Sequence, residues 1–205
     1  MSNYQEIEPA HRNLSWRLVD IVVAAVLGVA TGLIFLVWNY IGGRGYEFLD
    51  GFTPGLSGLA GGGWLIGGVL GGLIIRKPGA ALFVEMVGAS VSAAVGNEWG
   101  YTVLWSGLAQ GAAAELAFLI LAYKFFGLKA SMFAGAMAGF GMWAHELFLW
   151  GNIEKSLEFN MIYLVAAMIS GAVIAGVGGW LLTRALAATG ALDRFAAGRE
   201  ARDLV

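Results

Sequence analysis

The chain has 205 residues, of which 59% are hydrophobic and only 13% are charged, and its net charge is −2. A soluble domain usually carries about 25% charged residues, so this composition excludes an ordinary soluble protein. The absence of cysteine excludes disulfides, thiolate nucleophiles and thiolate metal sites. Because apolar stretches long enough to cross a bilayer make up most of the chain, we predict an all-α polytopic membrane protein.

Six transmembrane helices are predicted from the apolar runs. In chain order they cover approximately residues 16–40, 53–75, 79–97, 101–123, 129–151 and 160–187. Short segments rich in glycine, proline and charge separate the runs and leave no room for a second domain. Residues 1–15 are predicted to be a polar tail without a cleavable signal peptide, and 16–188 the membrane domain. Residues 189–205 are predicted to be a second tail.

Lysine and arginine are distributed unequally in this topology. If both termini lie on one side, only Arg44 and Lys155 fall on the other. The side with the termini receives Arg12, Arg17, Arg76, Lys77, Lys124, Lys129, Arg184, Arg194, Arg199 and Arg202. Cytoplasmic loops carry an excess of Lys and Arg, so both termini are predicted to lie in the cytoplasm.

A stripe of small residues runs along the first predicted span. Ala24, Gly28 and Gly32 repeat every four residues and therefore share one helix face. Small residues in membrane helices mark close contacts between helices. The pattern leaves open whether the stripe meets another span of this chain or a separate subunit.

Polar side chains within the spans are few, and they define the candidate binding site. Ionisable groups in membrane helices usually face the protein interior or a water-filled cavity. Near the start of the first span, Asp20 is predicted to pair with Arg17. The candidate substrate-binding residues are Glu85, Asn97, Trp105, Gln110, Glu115, Trp143, His145 and Glu146.

Most of these residues lie in the half of the spans away from the termini, so we predict a pocket open to the outside. Glu85 and Glu115 lie nearer the middle or the inner half. These two could instead be hydrogen-bond partners between helices, and His145 could hold a neighbouring helix. Tryptophans at both interfaces also form belts without any ligand.

The adjacent pair His145–Glu146 suggests a catalytic dyad at first sight, but helical geometry argues against one. At about 100° per residue, Trp143, Glu146 and Trp150 share one face, whereas His145 is turned about 100° away from Glu146. We therefore predict that Glu146 faces the outward pocket between two tryptophans. His145 is predicted to lie at the edge of the pocket or against a neighbouring helix.

Several chemistries find no support in the sequence. There is no phosphate-binding loop of the G-x-x-x-x-G-K-[ST] type and no zinc-binding H-E-x-x-H. A serine nucleophile would lack the G-x-S-x-G context. We therefore predict no catalytic residue, no metal site, no bound cofactor and no nucleic-acid partner.

Three segments carry a family resemblance. They are IIRKPGAALFVEMVGASVSAAVGN at 74–97, GLAQGAAAELAF at 107–118 and TGALDRFAAGRE at 189–200. In order and spacing the chain resembles the YkoE-type substrate-binding subunits, or S components, of energy-coupling factor (ECF) transporters. That family is associated with uptake of hydroxymethylpyrimidine or thiamine.

The resemblance implies a multi-pass cell-membrane protein that captures thiamine or hydroxymethylpyrimidine and is not an enzyme. A transmembrane coupling subunit and two cytoplasmic ATPase subunits would supply the energy, and the stripe of Ala24, Gly28 and Gly32 would meet the coupling subunit. Two alternatives remain open at this point. One is a self-sufficient proton-coupled carrier, and the other is an intramembrane enzyme using His145 and Glu146.

Overall fold

The structure, a computed structural model, describes residues 14–202, and every regular element in that range is helical. Most of the predicted N-terminal tail, including Arg12, lies outside the described residues, as do residues 203–205. The α-helices are α1 Leu18–Asp50, α2 Ile66–Ile75, α3 Ala80–Val95, α4 Val103–Ile120, α5 Leu128–Leu149, α6 Leu157–Ser170, α7 Gly178–Ala188 and α8 Ala196–Arg202. The all-helical prediction is confirmed for the described residues.

Two of the spans contain non-α segments. A 3₁₀ segment, Leu56–Leu65, leads directly into α2, and a π segment, Gly171–Val177, joins α6 to α7. Four continuous helices are long and apolar enough to cross a membrane, namely Leu18–Asp50, Leu56–Ile75, Gly100–Ile120 and Leu157–Ala188. Helix α3 is apolar but has only 16 residues, and α5 has 22 residues with a Lys, a His and a Glu among them.

Helix α1 is longer than predicted. The sequence GGRGYEFLDGFTPG was interpreted as a break after residue 40, but the helix continues through its glycines to Asp50. Tertiary contacts override the local preference. The Trp38 indole N–H donates to the Ala60 carbonyl at 2.8 Å, and a methyl group added to Gly63 would lie 2.1 Å from the Trp38 ring. The extension forms one wall of the cavity described below.

The second span is the centre of the bundle, and its glycines explain how it fits there. Leu65, Val69 and Leu73 are buried in the main hydrophobic core, and α2 also packs against α1, α3, α4 and α7. A methyl group added to Gly72 would lie 2.0 Å from the Phe118 ring. Small residues let helices approach this closely inside a membrane protein.

The stripe on α1 requires a correction. A methyl group on Gly28 would lie 2.5 Å from the Val87 side chain, and one on Gly32 would lie 2.6 Å from Val91. Ala24 is fully buried. The stripe therefore packs against α3 of the same chain and is not an exposed surface for a coupling subunit. Its small residues indicate a close helix contact, as predicted, but the contact is internal.

At the end of the bundle where residues 14–20 and α8 meet, which we call the terminal end, buried charges are paired. The predicted Arg17–Asp20 pair is confirmed, with 2.7 Å between Arg17 Nη2 and Asp20 Oδ1. Lys77 Nζ lies 2.5 Å from Asp20 Oδ2 and also donates to the Ser15 carbonyl. Asp20 itself is fully buried, so the two cations neutralise it. This network joins the start of α1 to the turn between α2 and α3.

The predicted C-terminal tail is folded onto the same terminal end rather than extended. Leu192, Phe195 and Ala197 are buried in a core cluster with residues of α1, α2, α3 and α7. The Arg76 guanidinium forms two hydrogen bonds with the Glu200 carboxylate, at 2.5 and 2.7 Å. Side chains from five helices, α1, α2, α3, α7 and α8, thus close this end of the bundle.

Candidate ligand-binding site

A cavity of about 1050 Å³ lies at the end of the bundle opposite to the terminal end. Its walls come from α1, the second span, α3, α4, α5 and the loops that follow α3 and α5. The lining includes Asn39, Arg44, Tyr46, Glu47, Trp64, Glu85, Ser92, Asn97, Glu98, Trp99, Gln110, Glu146, Trp150 and Lys155. Four of the predicted site residues, Glu85, Asn97, Gln110 and Glu146, are therefore brought together around one cavity.

Glu85 is the most buried ionisable group of the cavity wall. Its side chain is 1% exposed, and its Oε2 accepts a hydrogen bond from the Gly68 backbone N–H at 2.6 Å. Its Oε1 is buried and has no hydrogen-bonding partner among the described residues. A buried polar atom without a partner costs about 1–3 kcal/mol. A ligand that donates a hydrogen bond to Oε1 would recover that cost.

Glycines make the space for Glu85. A methyl group on Gly67 would lie 2.7 Å from Glu85 Oε2, and one on Gly111 would lie 2.9 Å from Glu85 Cβ. Both substitutions would displace the carboxyl group. The glycine-rich second span and the small residues of α4 therefore have a local role at the site as well as a packing role.

A second carboxyl group, Glu146, is held by two tyrosines. Tyr163 donates to Glu146 Oε2 at 2.6 Å, and Tyr46 donates to the Tyr163 hydroxyl at 3.2 Å. Tyr163 is fully buried, whereas Tyr46 lines the cavity. The chain of hydrogen bonds fixes the Glu146 carboxyl group and links α5 to α6 and to the extension of α1.

Aromatic rings flank the cavity. Trp64 and Trp99 are in edge-to-face contact with 5.6 Å between their ring centres, and the Trp64 indole N–H donates to Asn39 Oδ1 at 2.8 Å. The Asn97 amide oxygen accepts from the Trp99 backbone N–H at 2.9 Å, and the amide nitrogen donates to the Ser92 carbonyl. Asn97 therefore shapes the loop that carries Trp99. Flat rings of this kind can stack on a planar ligand or bind a cation.

Gln110 adds a neutral polar group to the cavity. Its side chain is 5% exposed. Its amide can donate two hydrogen bonds and accept others. Together with the Glu85 and Glu146 carboxyl groups, it presents both donors and acceptors to a ligand. That combination suits a heterocycle with ring nitrogens and an amino group.

Glu115 does not line the cavity and serves another purpose. Its carboxylate accepts hydrogen bonds from the backbone N–H groups of Gly79 and Ala81 at 2.7 and 2.9 Å, at the start of α3. Tyr123 also donates to it. Burial raises the pKa of Tyr123 well above its ordinary value, and the neighbouring Glu115 carboxylate raises it further, so the phenol keeps its proton. The sequence leaves open whether Glu115 binds a ligand or connects two helices. Its hydrogen bonds to the start of α3 fit the second role.

Trp105, His145 and Trp143 also lie outside the cavity lining. Trp105 and His145 border a shallow apolar groove on the outer surface of α4 and α5. His145 Nε2 lies 3.0 Å from Ser106 Oγ, so the imidazole joins α5 to α4. Trp143 packs against the main hydrophobic core and the Phe140 ring. His145 and Glu146 therefore have different partners and do not form a dyad.

The sequence analysis missed several residues of the site. For Trp64 and Trp99 the sequence leaves open whether they belong to an interfacial belt or to the site, and Tyr46 falls within a predicted loop. Tyr163 was one apolar-looking residue in a long apolar span. Its position 17 residues after Glu146 gives no helical relation to it, so no periodic signal could have identified the pair.

Comparisons with known proteins support a transport function. The family model described as "ABC-type cobalt transport system, permease component" matches residues 19–141. The chain is 34% identical over 187 residues to the putative HMP/thiamine permease protein YkoE of Bacillus subtilis (strain 168), covering 91% of this chain and 92% of that protein. It also matches a crystal structure of an S component of an ECF transporter, at 31% identity and a TM-score of 0.78. That match covers 92% of this chain and 94% of the other.

The matches to YkoE and to the S-component structure cover 91% and 92% of this chain. They are to membrane transport components and not to enzymes, which agrees with the several apolar helices of the fold. The chain is therefore a multi-pass cell-membrane protein that belongs to the YkoE family of ECF transporter S components.

Proposed function

We propose that this S component captures thiamine or its hydroxymethylpyrimidine precursor in the cavity bordered by Glu85 and Glu146. The observation that carries the proposal is the free Oε1 of Glu85, which is buried in the wall of a cavity flanked by tryptophans. An aminopyrimidine has an amino donor for that oxygen and ring nitrogens for Gln110. Its flat ring and a thiazolium cation both suit aromatic faces.

The proposal includes the topology that the sequence predicted. We infer that α3 and α5 also cross the bilayer, which gives six spans with both termini in the cytoplasm. The terminal end is then cytoplasmic, and the cavity opens to the outside. Because the chain has no cysteine, single introduced cysteines can test this directly. A membrane-impermeant maleimide applied to intact cells is expected to label Glu154→Cys but not Lys124→Cys.

Energy for uptake is proposed to come from a transmembrane coupling subunit and two ATPase subunits. The absence of a phosphate-binding loop in the sequence is consistent with that division of labour. The coupling subunit must contact a surface other than the buried stripe of Ala24, Gly28 and Gly32. Proteoliposomes containing only this chain are expected not to accumulate thiamine in a proton gradient. Accumulation would favour the self-sufficient carrier instead.

Ligand binding by the purified protein tests the substrate assignment. Calorimetric titration is expected to give saturable binding of thiamine, hydroxymethylpyrimidine or both, and mass spectrometry should detect the same compound in freshly purified protein. Co²⁺ should be titrated in parallel because the matching family model is described by cobalt transport. Binding of Co²⁺ without binding of either organic compound would refute the assignment.

A further inference from the structure

Four charged side chains line the mouth of the cavity without pairing with one another. They are Arg44 and Glu47 on α1, Glu98 in the loop after α3 and Lys155 in the loop after α5. In the part of the chain that the structure describes, none of the four forms an ion pair. Lys155 Nζ lies 4.1 Å from the centre of the Phe159 ring.

The two cations have a distinctive position. Arg44 and Lys155 are the two basic residues that the predicted topology places outside, and both line this one cavity. The carboxyl groups of Glu85 and Glu146 lie in the buried part of the wall, whereas both cations are exposed at the mouth. The cavity therefore has acidic groups inside and both signs of charge at its opening.

The size of the cavity favours a ligand larger than a single pyrimidine ring. Pockets for small organic ligands usually measure about 300–1000 Å³, and this cavity, at about 1050 Å³, is slightly larger. A single hydroxymethylpyrimidine ring would leave the mouth unoccupied. A longer ligand has room to extend towards the four charged side chains that line the same cavity.

We infer that the ligand carries a phosphate ester in addition to its cationic ring, as a phosphorylated thiamine does. This inference rests on the proposed function. The carboxyl groups of the cavity would face the ring, and Arg44 and Lys155 would bind the phosphate. Guanidinium groups bind phosphate through two parallel hydrogen bonds, and a lysine ammonium acts as a point charge.

Calorimetry on the purified full-length chain tests the inference with thiamine and thiamine monophosphate. The wild type is expected to bind the phosphate ester at least as tightly as thiamine. In the Arg44→Gln/Lys155→Gln double variant, the ratio of ester affinity to thiamine affinity should fall about tenfold, because only the ester loses its contacts with the two cations. Raising the salt concentration should weaken binding of the ester more than binding of thiamine.

Matched controls separate the outcomes. Lys124→Gln, which removes a cation at the terminal end, should leave both affinities unchanged. Glycerol phosphate, which resembles a lipid headgroup and has no pyrimidine, should not compete with the ester. Equal loss of both ligands in the double variant, or tight competition by glycerol phosphate, would overturn the inference and leave the proposed function standing. Failure of the wild type to bind any of the pyrimidine compounds would overturn both.

Discussion

The two ends of the bundle use the same residue types in opposite ways. At the terminal end, Asp20 is enclosed by Arg17 and Lys77, and the Glu115 carboxylate is occupied by backbone N–H groups of α3. At the cavity end, Glu85 keeps one oxygen without a hydrogen-bonding partner among the described residues. Satisfied buried charges hold helices together, whereas an unsatisfied one beside a cavity is available for a ligand. In this protein, the hydrogen-bonding partners of a buried carboxyl group indicate whether it is structural or available to a ligand, and its depth in the bundle does not.

The largest expected effect comes from breaking the paired end. Asp20→Ala leaves Lys77 buried without its partner, and removing one member of a buried pair typically costs about 3–5 kcal/mol. We expect a large loss of unfolding free energy in detergent-solubilised protein, measured by denaturant titration, while the thiamine affinity of the folded fraction is retained. Glu154→Ala, in an exposed loop, is the control and should unfold like the wild type. A wild-type unfolding curve for Asp20→Ala would contradict the structural role.

The sharpest comparison exchanges one carboxyl group at each end for an amide of the same shape. Glu85→Gln should weaken thiamine binding by about 10- to 100-fold, because an amide has one acceptor oxygen for the two bonds and an unsatisfied buried group costs about 1–3 kcal/mol. Glu115→Gln should leave binding unchanged and lower the unfolding free energy by about 1 kcal/mol, because an amide has one acceptor oxygen where the carboxylate uses two. Calorimetry and denaturant titration on both variants check the pair. Weaker thiamine binding by Glu115→Gln, together with unchanged binding by Glu85→Gln, would contradict the roles assigned to the two glutamates.

A smaller effect is expected at the buried tyrosine. Tyr163→Phe removes the hydroxyl that holds Glu146 and should weaken thiamine binding by about fivefold, corresponding to about 1 kcal/mol. If Tyr163 acts through Glu146, the same substitution should have little further effect in a Glu146→Ala background, which has no side-chain oxygen to accept the hydrogen bond. A double-mutant cycle of binding affinities measures this coupling. Additive losses would show that the Tyr163 hydroxyl acts independently of Glu146, and Tyr101→Phe provides an exposed control.

The smallest effect is expected at the surface of the paired end. Glu200 is 61% exposed, so its two hydrogen bonds with Arg76 are screened by water. Glu200→Gln should lower the unfolding free energy by less than about 1 kcal/mol and leave ligand affinity unchanged. A loss as large as that of Asp20→Ala would show that the C-terminal segment holds the bundle together more strongly than its exposure suggests.

Much of the helical framework follows from the sequence. Apolar runs and the turn residues RKPG and GNEWG located the helix boundaries within a few residues, because lipid-facing surfaces must be apolar along their whole length. The extension of α1 to Asp50 was not predictable, because Trp38 and the second span stabilise it through contacts that are distant in sequence.

Part of the cavity lining follows from the sequence, and there is a physical reason why some of its residues could be selected. Polar residues in apolar spans must face protein or a cavity, and this rule selects Glu85, Gln110 and Glu146, which line the cavity. The same rule selected Glu115 equally well, because a single sequence does not show which partners a carboxyl group meets. The small residues of α1 likewise predicted a close contact without revealing that the contact is with α3.

A structure of the protein with thiamine bound tests the central claim most directly. The account predicts that the aminopyrimidine lies in the cavity within hydrogen-bonding distance of Glu85 Oε1, with an aromatic ring of Trp64, Trp99 or Trp150 against the ligand. Ligand bound in the shallow groove beside Trp105 and His145, with Glu85 Oε1 still unpaired, would contradict it.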